Sequence, residues 1–157
     1  QMKLKLAGVM ARDTDLLILD EPASPLDPLM REKLCEMLQT YVSEGNGERS
    51  VLFSTHNISD MENVTDYAII VGNGGVLEAG FVEELKEKYV LVKGDASDKE
   101  LARKVLFSIS ENPYGFEGIC LSENLEKFAG CSVLTEIPSL FQISVAVMKQ
   151  NSRIKMG

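Results

Sequence analysis

Basic residues are in short supply in this chain. Its 157 residues hold 24 acidic and only 16 basic side chains, a formal net charge of −8. Nucleic-acid binding relies on neutralising phosphates across a basic surface, so the charge argues against that class, and it excludes general adhesion to anionic lipid. Docking onto a specific membrane-protein partner stays open. Long apolar runs are missing too. Leu16 to Leu19 and Tyr67 to Val71 hold four and five residues, whereas a bilayer-spanning helix needs roughly 20. From Gln1 to Gly8 the lysines interleave with apolar residues instead of preceding them, which is not the order of a signal peptide. Cysteine is sparse: Cys35, Cys120 and Cys131 are widely spaced with no CxxC pair. They read as reduced, partly buried thiols of a cytosolic protein. Only one histidine is present, His56, so any imidazole chemistry must run through that position.

What is there suits a folded protein, with 45% apolar and 25% charged residues and length for one domain plus a small appendage. Met2, Leu6, Val9 and Met10 fall close to helical spacing, predicting a helix up to Arg12. A turn at Asp13-Thr14-Asp15 precedes Leu16-Leu17-Ile18-Leu19. Such a continuous apolar run suggests a strand buried on both faces of a helix-covered parallel sheet. Asp27-Pro28 reads as N-cap and first residue of a helix. Its core stripe is Met30, Leu34, Met37, Leu38 and Tyr41, and Gly45-Asn46-Gly47 ends it. Val51-Leu52-Phe53 is a second buried strand. Ser59 to Glu62 fits a capping box opening a short helix.

Tyr67 to Val71 and Val76 to Ala79 flank Gly72 to Gly75, a strong hairpin signal. A helix follows from about Phe81 to Tyr89. The order strand, helix, strand, helix and hairpin indicates an α/β layered fold. After Gly94 the character changes: residues 1–94 carry 9 basic and 16 acidic side chains, the remainder 7 and 8. The tail reads as a small α+β extension. It has helices over Asp98 to Phe107, Glu123 to Phe128 and from Ser139 to about Met148, a turn at Asn112 to Gly115, and strands at Gly118 to Leu121 and Val133 to Thr135. Its aromatics, Phe107, Tyr114, Phe116 and Phe128, are assigned to packing.

Three features end predicted strands or follow them: Asp20-Glu21, Ser24-Pro25-Leu26-Asp27, and His56. The first of two adjacent acids can hold a hard cation such as Mg²⁺ beside a nucleotide's phosphates. The second can accept a proton from an attacking water. A histidine on the neighbouring strand can donate to a γ-phosphate, and phosphoryl transfer asks mainly for such positioning. Pro22 blocks continuation of the strand and helps both carboxylates reach one site. The usual phosphate cradle, G-x-x-x-x-G-K-[ST], has no match, because no glycine here is followed by lysine.

The run Leu16-Leu17-Ile18-Leu19-Asp20-Glu21-Pro22 resembles the Walker B strand and catalytic glutamate of ABC-type ATPases. Ser24 to Asp27 resembles their D-loop and Ser54-Thr55-His56 their switch histidine, at similar intervals. Gln1 resembles the tail of the signature sequence, and the hairpin Val71 to Gly80 their closing glycine-containing segment. The resemblance covers residues 1–93, and the ending from Glu87 to Gly94 is similar to the subgroup serving ABC-2-type export permeases.

The resemblance implies a P-loop NTPase-like, mostly parallel sheet, of which this chain is the C-terminal part, with residues 94–157 as an accessory region. It implies ATP and Mg²⁺ as cofactors, Asp20 at the metal, Glu21 and His56 as catalytic residues, and Gln1, Ser24 and Asp27 beside nucleotide and partner. It further implies a second ATPase subunit, an integral membrane permease, and a cytoplasmic site at the inner face of the membrane. Without the phosphate loop the chain is expected to be inactive alone. Two rival readings are a non-transporter ABC-type ATPase of translation or DNA repair, and a non-catalytic partner-binding remnant. Blander roles stand beside the sharp ones: Asp20-Glu21 as a helix-terminal acid pair, Asp27 as a plain N-cap, His56 as a capping or core residue.

Overall fold

A computed structural model describes Gly8 and residues 14–155. The expected first helix and Gln1 lie outside the described residues, apart from helical Gly8. The chain divides into two compact units between Val64 and Thr65.

The first unit is a β-α-β arrangement. β1 (Leu16–Asp20) and β2 (Ser50–Ser54) pair in parallel, with Leu16 opposite Ser50 and Asp20 opposite Ser54. Parallel neighbours need a crossover, and α1 (Pro28–Glu44) supplies it. Asp27 caps this helix: its Oδ1 accepts from the Met30 amide at 3.0 Å, and Pro28 occupies the first turn. Leu34, Leu38 and Tyr41 are buried along one stripe of α1, whereas Met37, expected in that stripe, stays 38% exposed. Position 37 directly precedes Leu38 and sits at the stripe's edge. Asn46 (φ 50°) and Gly47 (φ 88°) turn the chain back after the helix.

The core gathers Ala23, Leu26, Leu34, Leu38 and Met61, with Leu19, Val51 and Phe53 packed against it. Both strands were expected to be buried on two faces. Instead they alternate: Leu17 is buried, while Leu16, Ile18 and Leu52 are exposed on the opposite face. Only one helical layer covers the pair within this unit, among the described residues. α2 (Ile58–Met61) is a single turn continued by a 3-10 turn at Glu62–Val64. The expected capping box at Ser59 is not formed. Asn57 is the N-cap without a side-chain bond and Ser59 lies inside the helix; Asp60 pairs with Arg31.

The second unit is antiparallel throughout. β3 (Tyr67–Gly72) and β4 (Gly75–Phe81) form a hairpin joined by Asn73 (φ 53°) and Gly74 (φ 80°). Two positive φ values in a two-residue loop are those of a type I′ turn, and this is why Asn-Gly signals it. α3 (Val82–Lys88) runs directly into β5 (Tyr89–Asp95). Then come α4 (Lys99–Val105), β6 (Ser108–Asn112), β7 (Gly115–Leu121), a 3-10 segment at Ser122–Phe128, β8 (Val133–Glu136) and α5 (Leu140–Lys155).

The sheet order is β6-β7-β5-β8, all neighbours antiparallel. This is the split β-α-β-β-α-β order, with the second helix reduced to the 3-10 segment. The mostly parallel sheet implied by the resemblance is therefore present only as the β1–β2 pair among the described residues. The α+β character expected from residue 94 onward is present, but the packing does not break there, since β5 runs through Lys93 and Gly94.

β5 and β6 were not anticipated, and β5 is central to the sheet. Its side chains are buried in both directions. Val92 joins Ala102, Val105, Leu106, Phe116, Cys120 and Phe128 in one cluster, where the Phe116 and Phe128 rings stack at 6.3 Å. Tyr89 and Leu91 alternate with Val92 and are also buried. Ser139 opens α5 through a true capping box: its Oγ accepts from the Gln142 amide at 3.2 Å, and Gln142 Oε1 accepts from the Ser139 amide at 2.9 Å. The helix runs on to Lys155, past the expected end near Met148. Tyr114 does not pack as expected but sits 89% exposed at the β6–β7 turn. All three cysteines are free thiols.

Gly118 on β7 has no room for a side chain. A Cβ there would lie 2.3 Å from the Ser108 carbonyl oxygen and 2.7 Å from Leu106 Cδ1. Gly118→Ala is expected to cost about 1–3 kcal/mol through overpacking, read as a lower denaturation midpoint with an unchanged slope.

Candidate functional site

Because β1 and β2 are in register, their C-terminal ends lie level, and the residues just beyond them meet. Asp20 is opposite Ser54, and the Ser54 hydroxyl donates to Asp20 Oδ1. The chain then bends sharply at Glu21, which adopts a left-handed backbone (φ 46°). For a residue with a Cβ this conformation is disfavoured and persists only where neighbours enforce it. Here the Glu21 amide donates to the Ser54 carbonyl at 2.9 Å, and the Glu21 carbonyl accepts from the Ser24 amide at 3.2 Å. Pro22 and Ala23 are buried immediately after the bend, anchoring the turn in the core.

The bend aims the Glu21 carboxylate across to the end of β2. Its Oε1 accepts from the His56 amide at 2.8 Å and faces His56 Nδ1 at 2.5 Å. Its Oε2 accepts from the Thr55 hydroxyl at 3.3 Å. Thr55 in turn accepts from the Asn57 amide at 3.0 Å, which fixes the loop carrying the histidine. The Glu21 carboxyl is held below the usual carboxylate range. The His56 ring bond is the main cause, partial burial opposes it, and the His56 amide, the His56 charge and Thr55 add to the lowering. The His56 side chain is 72% exposed, against 32% for Glu21, so the site is open to solvent on the histidine side.

The expected residues thus divide. Asp20, Glu21 and His56 come together at one strand end. Ser24 is exposed on the turn after Glu21, and Asp27 spends its carboxylate on capping α1, as the blander reading of it had it. Ser54 and Thr55 hold the two acids, one each. Sequence reading passed over them in favour of His56, although in-register pairing of the two apolar runs would have pointed to Ser54 opposite Asp20.

Asp20 is exposed. No group of three or more His, Cys, Asp or Glu side chains that could hold a metal occurs among the described residues. Mg²⁺ commonly takes one or two carboxylates and draws its other ligands from phosphate and water. Asp20 fits that mode of binding, and an all-protein cage does not fit.

No family model matches the chain. Curated relatives do. An uncharacterized ABC transporter ATP-binding protein of Nostoc sp. is 28% identical over 128 residues, 80% of this chain and 37% of that protein. The energy-coupling factor transporter ATP-binding protein EcfA2 of Enterococcus faecalis is 31% identical over 121 residues, 71% and 40% of the two chains. The uncharacterized ABC transporter ATP-binding protein YxlF of Bacillus subtilis is 35% identical over 114 residues, 73% and 36%. The chain is homologous to ABC transporter ATP-binding proteins. It spans little more than a third of the length of these relatives, and no helix among the described residues is long and apolar enough to cross a membrane.

Because the folded Glu21 carboxyl titrates below its unfolded value, the stabilisation it provides is present above the unfolded value and is lost as pH falls through the folded one. His56→Ala removes the main cause. Glu21 is therefore expected to titrate at higher pH in that variant, followed by carboxyl-carbon NMR shifts, and the variant should lose less stability on acidification. A Glu21 titration unmoved by the substitution would show that His56 is not what lowers it.

Proposed function

We propose that residues 1–93 are the C-terminal part of the nucleotide-binding domain of an ABC transporter's ATP-hydrolysing subunit, with 94–157 as an accessory region. One observation carries the reading: the in-register pairing of β1 and β2 gathers Asp20, Glu21 and His56 at a single strand end. Homology to ABC transporter ATP-binding proteins supports it.

In this reading Asp20 helps to hold Mg²⁺, which supplies charge neutralisation at the phosphates when bound. The His56 amide and ring steady the Glu21 carboxylate, which accepts a proton from the attacking water. With Nδ1 on Glu21, Nε2 is the ring nitrogen left to donate to a γ-phosphate. Ser24 and Asp27 lie on the turn that meets a second ATPase subunit, and Gln1 lies beside that subunit's nucleotide. Work is done on an integral membrane permease, with this subunit at the cytoplasmic face. The resemblance of Glu87 to Gly94 points to the ABC-2-type export subgroup.

The sequence has no G-x-x-x-x-G-K-[ST] loop, so the phosphates must be cradled elsewhere, and the chain alone is inactive. ATP hydrolysis with Mg²⁺ is to be measured for the chain alone and mixed with a separately made N-terminal half carrying such a loop. Turnover is expected only in the mixture, and Glu21→Gln should lower kcat there at least about 100-fold. Association of the halves without turnover would overturn the catalytic reading in favour of a partner-binding module.

A further inference from the structure

Arg31 lies on the first turn of α1, between the two loops of the site. Its Nε donates to the Leu26 carbonyl at 2.9 Å, within the Ser24–Asp27 turn. Its Nη1 donates to Asp60 Oδ2 at 2.7 Å, on the single-turn helix that follows His56. Both side chains are less than a third exposed. One turn further along α1, Cys35 Sγ contacts the Asp60 carbonyl at 3.4 Å. Asp60 is thus gripped through its side chain and its backbone by neighbouring residues of one helix face. Leu26 and Met61, which flank this bridge, are both buried in the same core cluster.

We propose that Arg31 is a positioning residue that couples the Ser24–Asp27 turn to the loop bearing His56, so that the two shift together. The geometry demands arginine. A planar guanidinium presents donors in a fixed fork and can satisfy a carbonyl and a carboxylate at once. A lysine offers one compact ammonium and cannot hold both in that arrangement. The functional meaning rests on the reading proposed above, in which one loop meets a partner subunit and the other meets a phosphate. Arg31 then passes the presence of the partner to the histidine.

The coupling is tested on the chain itself by amide hydrogen exchange, without nucleotide. The Leu26 amide donates to the Ala23 carbonyl at 3.1 Å and the His56 amide to Glu21 at 2.8 Å, so both report locally. Asp60→Asn, which keeps the side-chain shape, is expected to speed exchange at Leu26, on the far side of the bridge, about fivefold. Arg31→Lys is expected to speed both Leu26 and His56, and the double variant to add little to either. Faster exchange confined to residues 56–62 in Asp60→Asn would overturn the coupling. In the reconstituted ATPase, Arg31→Lys should lower kcat about tenfold while KM for ATP stays within twofold. An unchanged kcat there would overturn the functional role of the bridge. If the unsubstituted mixture shows no turnover, the ATPase reading falls and the exchange data alone decide the coupling.

Discussion

Parallel pairing of two five-residue strands is the constraint on which the first unit depends. The pairing sets residues 20–21 level with 54–56, and the side-chain bonds between them follow from that placement. With Asp20 level with Ser54, the first residue beyond β1 must bend to continue, and the bend puts Glu21 within reach of the His56 amide and ring. The left-handed backbone at Glu21 is the local expense of this arrangement. It is held by one backbone bond to Ser54 and by the burial of Pro22 and Ala23 behind it. A slip of one residue in the register would turn Leu17 outward and would separate both acids from the hydroxyls that hold them.

Much of this was legible in the residues. Two short apolar runs bounded by polar turns, with a capped amphipathic segment between them, specify a β-α-β unit. The acids, the serine turn and the only histidine fall at its ends. What failed concerned faces and surroundings. A run such as Leu16 to Leu19 says that both sides are apolar, not that both are covered, and Leu16 and Ile18 are exposed in this unit. Ser59 had the residue types of a cap, but the helix starts at Ile58 with Asn57 as its N-cap, so Ser59 falls inside it. The tie from Asp60 to Arg31, 29 residues away, is not revealed by local pattern. β5 was hidden because it continues α3 without a break. The apolar run Tyr89 to Val92 was too short to separate from the helical spacing before it. The turns at Asn46 and Asn73 were legible, since positive φ is a local demand that local sequence answers.

At the strand ends the two acids and the histidine were found, whereas Ser54 and Thr55 were passed over as the groups that hold them. Ser54 and Thr55 carry no signal alone. Their role exists only once the strand opposite is known, and it consists in holding other side chains. Arg31 belongs with them. It sits on the polar flank of an amphipathic helix, where an arginine is ordinarily a solubilising residue, and only the third dimension shows the two loops it touches.

The two units also differ in how they can form. In the second, Gly72 pairs with Gly75 and Asn112 with Gly115, so each hairpin closes a loop of very few residues and can begin on its own. The first unit has no such start. Its strand pairing joins positions 34 residues apart, and the entropy of closing that loop must be met before any contact across it returns a gain. During synthesis β1 has to wait for Ser50 to Ser54 before it can form this pairing. Until then the exposed Leu16–Leu19 segment is a bare apolar strand, the kind of sequence that chaperones bind and that aggregates form around. The pairing that gathers Asp20, Glu21 and His56 is thus one that has to form across a long loop.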